Sequence, residues 1–68
     1  MYKVVFKNNE LSFQNKENGD ILFHQPFKPG LPDVGSSPWQ SREEAMEYWN
    51  AHARKQYSNI PDEEIEVE

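Results

Sequence analysis

A small α+β fold is what the sequence predicts: a three-stranded antiparallel β-meander with one α-helix packed across it, followed by an acidic C-terminal tail. Three observations carry that expectation. Residues 2–25 alternate apolar and polar side chains in three short runs, and turn-forming residues separate those runs. A single helix-start signature, at Ser41, then opens the stretch with helical periodicity.

The first run, YKVVFK, puts Tyr2, Val4 and Phe6 on one face and Lys3, Val5 and Lys7 on the other. Asn8 and Asn9 follow, and asparagine tolerates the left-handed backbone that tight hairpins require. Leu11 and Phe13 then resume the alternation against Ser12 and Gln14. A second cue, Asn18 followed by Gly19, leads into ILFHQ, where Ile21 and Phe23 are expected on one face and Leu22 and His24 on the other. Residues 26–38, PFKPGLPDVGSSP, hold four prolines and two glycines, so they can sustain neither a helix nor a central strand. They read as a crossing loop, with Phe27, Leu31 and Val34 available to pin it to the core.

Ser41, Arg42, Glu43 and Glu44 match a capping box, in which the serine hydroxyl accepts from the third helical amide and the glutamate reaches back. Glu43, Glu44 and Glu47 suit the positive end of the helix dipole, and Arg54 and Lys55 its negative end. Ala45, Trp49, Ala53 and Gln56, flanked by Met46 and Tyr57, form an apolar stripe. The helix is expected over 42–57, with Asn59 and Pro61 ending it. One domain over 1–59 and a tail over 60–68 complete the organisation.

Sixty-eight residues bury a small core, and with no cysteine there is neither a disulfide nor a thiolate metal site to reinforce it. Nine aromatic residues make efficient packing, assembly with other chains, or both, the expected supports. Residues 60–68 carry five acidic side chains and no basic one, and the remainder is balanced at seven against seven. A balanced body argues against nucleic-acid binding, which needs a basic patch to displace counterions. No signal-peptide core or membrane span is visible, so a cytoplasmic protein is expected.

No catalytic motif or metal-ligand spacing stands out, and His24 and His52 have no partners at recognised intervals. Neither catalysis nor a cofactor is expected. Trp49 lies mid-stripe and reads as core. Trp39, just before the cap, has two open readings: folded back over the first helical turn, or exposed as an interface anchor, a role for which tryptophan is enriched. The tail also has two. Acidic runs are commonly solvated ends, yet in EIEVE the apolar Ile65 and Val67 alternate with glutamates, a pattern that can add to an exposed sheet edge of its own or a neighbouring chain. Trp39, Phe27, Leu31, Ile65 and Val67 are the candidate partner-binding residues. The expected function is a non-catalytic protein-interaction module. The alternative is an acidic inhibitor or regulator whose tail occupies a basic groove on a host protein. Carbohydrate binding through Trp39 and Tyr48 is a third reading without a supporting polar constellation.

The order HQPF (His24, Gln25, Pro26, Phe27), Pro/Gly loop, Pro38 and Trp39, then Ser41, Glu43, Glu44, Ala45 and Trp49 at helical spacing resembles small proteins of tailed bacteriophages, some of them tail-associated. It covers about residues 20–50. The resemblance implies a minor virion component or assembly partner without catalysis, made in the host cytoplasm, and it implies no particular site residues.

Overall fold

The computed structural model describes residues 1–30 and 35–68. Leu31 and Val34, expected to pin the loop, lie outside the described residues. Strands β1 (Tyr2–Lys7), β2 (Glu10–Asn15) and β3 (Ile21–Gln25) form the expected antiparallel meander, and α1 spans Arg42–Ala51. The sheet is larger than expected, because the C-terminal β4 (Ile65–Val67) pairs parallel to β1. The result is a mixed four-stranded sheet in the order β3-β2-β1-β4. Among the described residues, no helix is long and apolar enough to cross a membrane.

The turn chemistry accounts for the meander. Asn8 and Asn9 both hold positive φ, 53° and 61°, the mirror-image turn that matches strand twist, and Lys7 pairs directly with Glu10 across it. In the second turn Gly19 has φ 79°, and the Asn15 and Asn18 side chains accept the amides of Glu17 and Asp20 two residues on. One expectation fails here. The register slips between Phe13 and Gln14, so Phe13 faces Phe23 while Gln14 faces Ile21, with Leu22 as the extra residue of a β-bulge. The bulge reverses the alternation. Ile21 therefore sits on the opposite face from Phe23 and is 61% exposed.

The core lies between the sheet and α1. Val4, Leu11 and Phe13 from the sheet meet Ala45, Trp49 and Ala53 from the helical side, with Trp39 and Ile60 closing the margins. Phe13 is the hub. Its ring centroid lies 4.7 Å from that of Trp49, 4.8 Å from Tyr57 and 5.5 Å from Tyr2. Each such pair contributes about 0.5–1.5 kcal/mol beyond its buried area.

Ser41 caps α1 as expected, its hydroxyl accepting from the Glu44 amide at 3.1 Å. The Glu44 carboxylate turns instead toward Lys28. The helix ends earlier than 57: His52 leaves helical geometry at φ −125°, and Ala53–Tyr57 continue as a tighter 3-10 turn. The break re-phases the chain, so Tyr57 turns inward and Gln56 stays exposed. Arg54 does not sit in the last turn of α1 as a dipole partner. Its guanidinium donates to the carbonyls of Tyr57 at 2.5 Å and Ile60 at 2.6 Å and to the Asp62 carboxylate at 2.8 Å, fixing the path out of the turn.

Trp39 resolves toward the core reading. It is 3% exposed, packs edge-on to Tyr48 at 5.6 Å, and donates its indole N–H to the Gln25 carbonyl at 3.0 Å. Trp39→Ala and Trp49→Ala should each lower unfolding free energy by about 3–5 kcal/mol in urea titrations. Trp39→Phe should cost less, about 0.5–1.5 kcal/mol, chiefly from losing the indole hydrogen bond to the Gln25 carbonyl. A wild-type urea midpoint for Trp39→Ala would remove the residue from the core.

Candidate interaction surfaces

The residues expected to meet a partner do not converge on one site. Trp39 is buried, which takes it from the surface and also removes half of the carbohydrate reading, and Leu31 lies outside the described residues. Phe27 stands just beyond β3, whereas Ile65 and Val67 belong to β4, and these strands are opposite edges of the sheet. Ile65 is half-buried against the core, and Val67 is 56% exposed.

Phe27 marks the first surface. The loop that follows it is pinched at its base, where Lys28 N–H donates to the Ser37 carbonyl at 2.7 Å and Ser37 N–H returns to Lys28 at 2.9 Å. Gln25 Nε2 donates to the Phe27 carbonyl at 3.1 Å, which holds the backbone while leaving the ring 50% exposed. On β3 itself Ile21 and Leu22 are 61% and 41% exposed. Sequence reasoning missed both, because period-two alternation assumes an unbroken register and the bulge breaks it.

This apolar rim is poorly made for receiving a strand. The two-residue turn makes Lys7 and Glu10 a hydrogen-bonded pair, and alternation then points the main-chain groups of Leu11 and Phe13 toward β3. On β3 the groups of Phe23 and Gln25 therefore point inward, leaving His24 at the open edge between the bulge and Pro26. The Leu22 carbonyl already accepts from the Tyr57 hydroxyl at 3.1 Å, and Pro26 has no N–H to offer. Bulges and prolines are devices that protect edges. His24 is exposed and pairs diagonally with Glu10, Nε2 to Oε1 2.6 Å, a cross-strand contact of the open face.

A second surface is the groove of about 460 Å³ between the loop and α1, bordered by Lys28, Ser37, Glu44, Glu47, Tyr48 and His52. Tyr48 and His52 stack at 5.1 Å. Glu44 Oε1 is closed off from solvent and, among the described residues, has no hydrogen-bond partner; Lys28 Nζ lies 3.4 Å away, inside ionic range but without hydrogen-bond geometry. Among the described residues, no group of three or more His, Asp or Glu is placed to hold a metal ion.

The third surface is the β4 edge, where the acidic tail folds back onto the chain's own cations. Lys16 Nζ bonds Glu66 at 2.8 Å, Lys3 Nζ lies 3.5 Å from Glu68, Arg54 holds Asp62, and the Arg42 guanidinium donates to the Glu68 carbonyl. The signal available in the sequence was the charge split between body and tail, but nothing local says which lysines the tail meets. The hydrogen bond from Lys16, then its charge, holds Glu66 below the usual carboxylate range; the same bond raises Lys16 above the usual lysine value. Because Glu66's folded-state pKa is depressed, its contribution to docking is present above the unfolded value and lost as pH falls through the folded one. Lys16 behaves conversely: its contribution is complete below the unfolded value and lost as pH rises through the raised one. The protection factors of the Glu66 and Glu68 amides, with the base-catalysed rise of intrinsic exchange removed, should therefore be greatest near neutrality and fall at both extremes. Lys16→Gln should flatten the dependence; an unchanged profile would mean the pair does not hold the strand.

No family model, no curated protein and no solved structure matches the chain.

Proposed function

We propose that this chain is a non-catalytic protein-interaction module that docks a partner protein along the β3 rim. One observation carries the reading. Ile21, Leu22 and Phe27, three large apolar side chains, are 61%, 41% and 50% exposed along one protected edge. An edge whose main chain is blunted while its side chains stay apolar suits contact by side-chain packing rather than strand addition. The partner on this reading presents a complementary apolar surface.

The finer reading is a minor virion or tail-associated component of a tailed phage, made in the host cytoplasm and incorporated during assembly. Its support is the resemblance over about residues 20–50. Several residues that carry it hold the rim in place: Gln25 accepts the Trp39 indole, and Ser41 caps the helix against which Trp39 rests. The alternative, a tail that occupies a basic groove elsewhere, gains less support, because Asp62, Glu66 and Glu68 already face cations of the same chain.

Leu22→Asp and Phe27→Asp test the rim. With the full chain as bait in lysate of its native source, wild type should retain virion or tail proteins, identified by mass spectrometry, and each variant should lose them. Stability should change by only about 0.5 kcal/mol, as expected for exposed positions. Retention of the same proteins by both variants would sink the rim assignment, and retention of a host enzyme instead would favour the regulator.

A further inference from the structure

We propose that β4 is an exchangeable strand, and that the β1 edge it occupies is a binding site for the β4 of a second copy of this chain. The proposal stands apart from the rim reading, since it concerns the opposite edge of the sheet. The receiving site is built from charge as well as main chain. Alternation along β1 points the main-chain groups of Tyr2, Val4 and Phe6 away from β2, and the Val4 carbonyl accepts the Glu68 amide at 2.9 Å. Lys3, Lys16 and Arg42 line the same edge and engage Glu68 and Glu66. The ligand this site recognises is therefore an extended segment alternating apolar and acidic residues, and β4 of any copy has that pattern.

The attachment of β4 is uneven along its length. The chain before it is fixed: Ile60 is buried and Arg54 clamps the carbonyls of Tyr57 and Ile60. Beyond Pro61 the anchors thin out. Asp62–Glu64 form one exposed 3-10 turn of three consecutive carboxylates, and only Ile65 packs against the core. Besides the main-chain pairing with β1 and the Arg42 bond to the Glu68 carbonyl, the strand has ion pairs whose tail carboxylates are 47% and 48% exposed, and such pairs hold weakly. Straightening the turn relieves repulsion among its carboxylates and lengthens the segment, since extended backbone rises about 3.3 Å per residue against about 2.0 Å in the turn. Reciprocal exchange then reproduces every β4 contact in trans and generates a closed, two-fold dimer.

Two experiments test this with the full chain. In the first, a 13C-labelled and unlabelled wild-type mixture at millimolar concentration is examined for isotope-filtered NOEs between Val4 and Val67. Intermolecular NOEs are expected; purely intramolecular ones in the folded protein would overturn the proposal. In the second, a chain carrying Lys3→Glu and Lys16→Glu is mixed with one carrying Glu66→Lys and Glu68→Lys. Each variant repels its own tail and matches the other's. A one-to-one heterodimer by native mass spectrometry, lost as salt is raised, is expected. Two folded variants that stay monomeric when mixed would count against exchange as firmly as the missing NOEs.

Discussion

The packing of Phe13 between sheet and helix is the contact on which the rest of the structure depends. A cysteine-free chain of this length has no covalent staple, so one aromatic cluster must unite its layers. Phe13 sits on β2, an inner strand, where it touches Tyr2 on the neighbouring strand, Trp49 from α1 and Tyr57 from the turn beyond. Trp49 reaches further, to Phe23 at 6.2 Å, so β1, β2, β3 and the helical segment are joined through one connected set of rings. The break at His52 makes sense in this setting. It brings Tyr57 inward onto Phe13, where its hydroxyl can also serve the Leu22 carbonyl on the bulge.

Much of this was legible in the sequence because it is locally encoded. The Asn8 and Asn9 turn, Gly19 at its left-handed position and the Ser41 cap each depend on a few neighbouring residues, and each forms as those residues require. The features that escaped reading are set by distant partners. Leu22 bulges beside a register slip at Phe13, far along the chain. Trp39 was undecided because its burial requires the Gln25 carbonyl, 14 residues away. The parallel pairing of β4 joins the two ends of the sequence, and alternation in EIEVE shows that a strand is possible without showing where it docks.

The same division applies to the interaction surfaces. Phe27 was read both as a pin for the loop and as a partner-binding residue; its ring is half exposed and does not pin the loop to the core. Ile21 and Leu22 were missed because the alternation rule hid them. Ile65 and Val67 form a strand, one of the two readings left open for the tail, but they lie across the sheet from Phe27 and have a different chemistry. The two edges are unlike by construction: β3 is blunted in its main chain and apolar at its surface, whereas β1 is covered by a short strand paired through its main chain and flanked by ion pairs.

That contrast bears on why the acidity is gathered at one end. Four of the seven basic side chains, Lys3, Lys16, Arg42 and Arg54, contact residues of the 60–68 segment. At exposed positions these contacts add little stability each, so their effect is better sought in register. A slip of β4 by one residue would turn Ile65 away from the core and carry a glutamate onto it, while misplacing Glu66 from Lys16 and Glu68 from Lys3. Burial of Ile65 and the spacing of the glutamates thus select the same alignment. An arrangement that is specific in register yet weak in hold is what allows a strand to leave its edge and be accepted again only in the correct place.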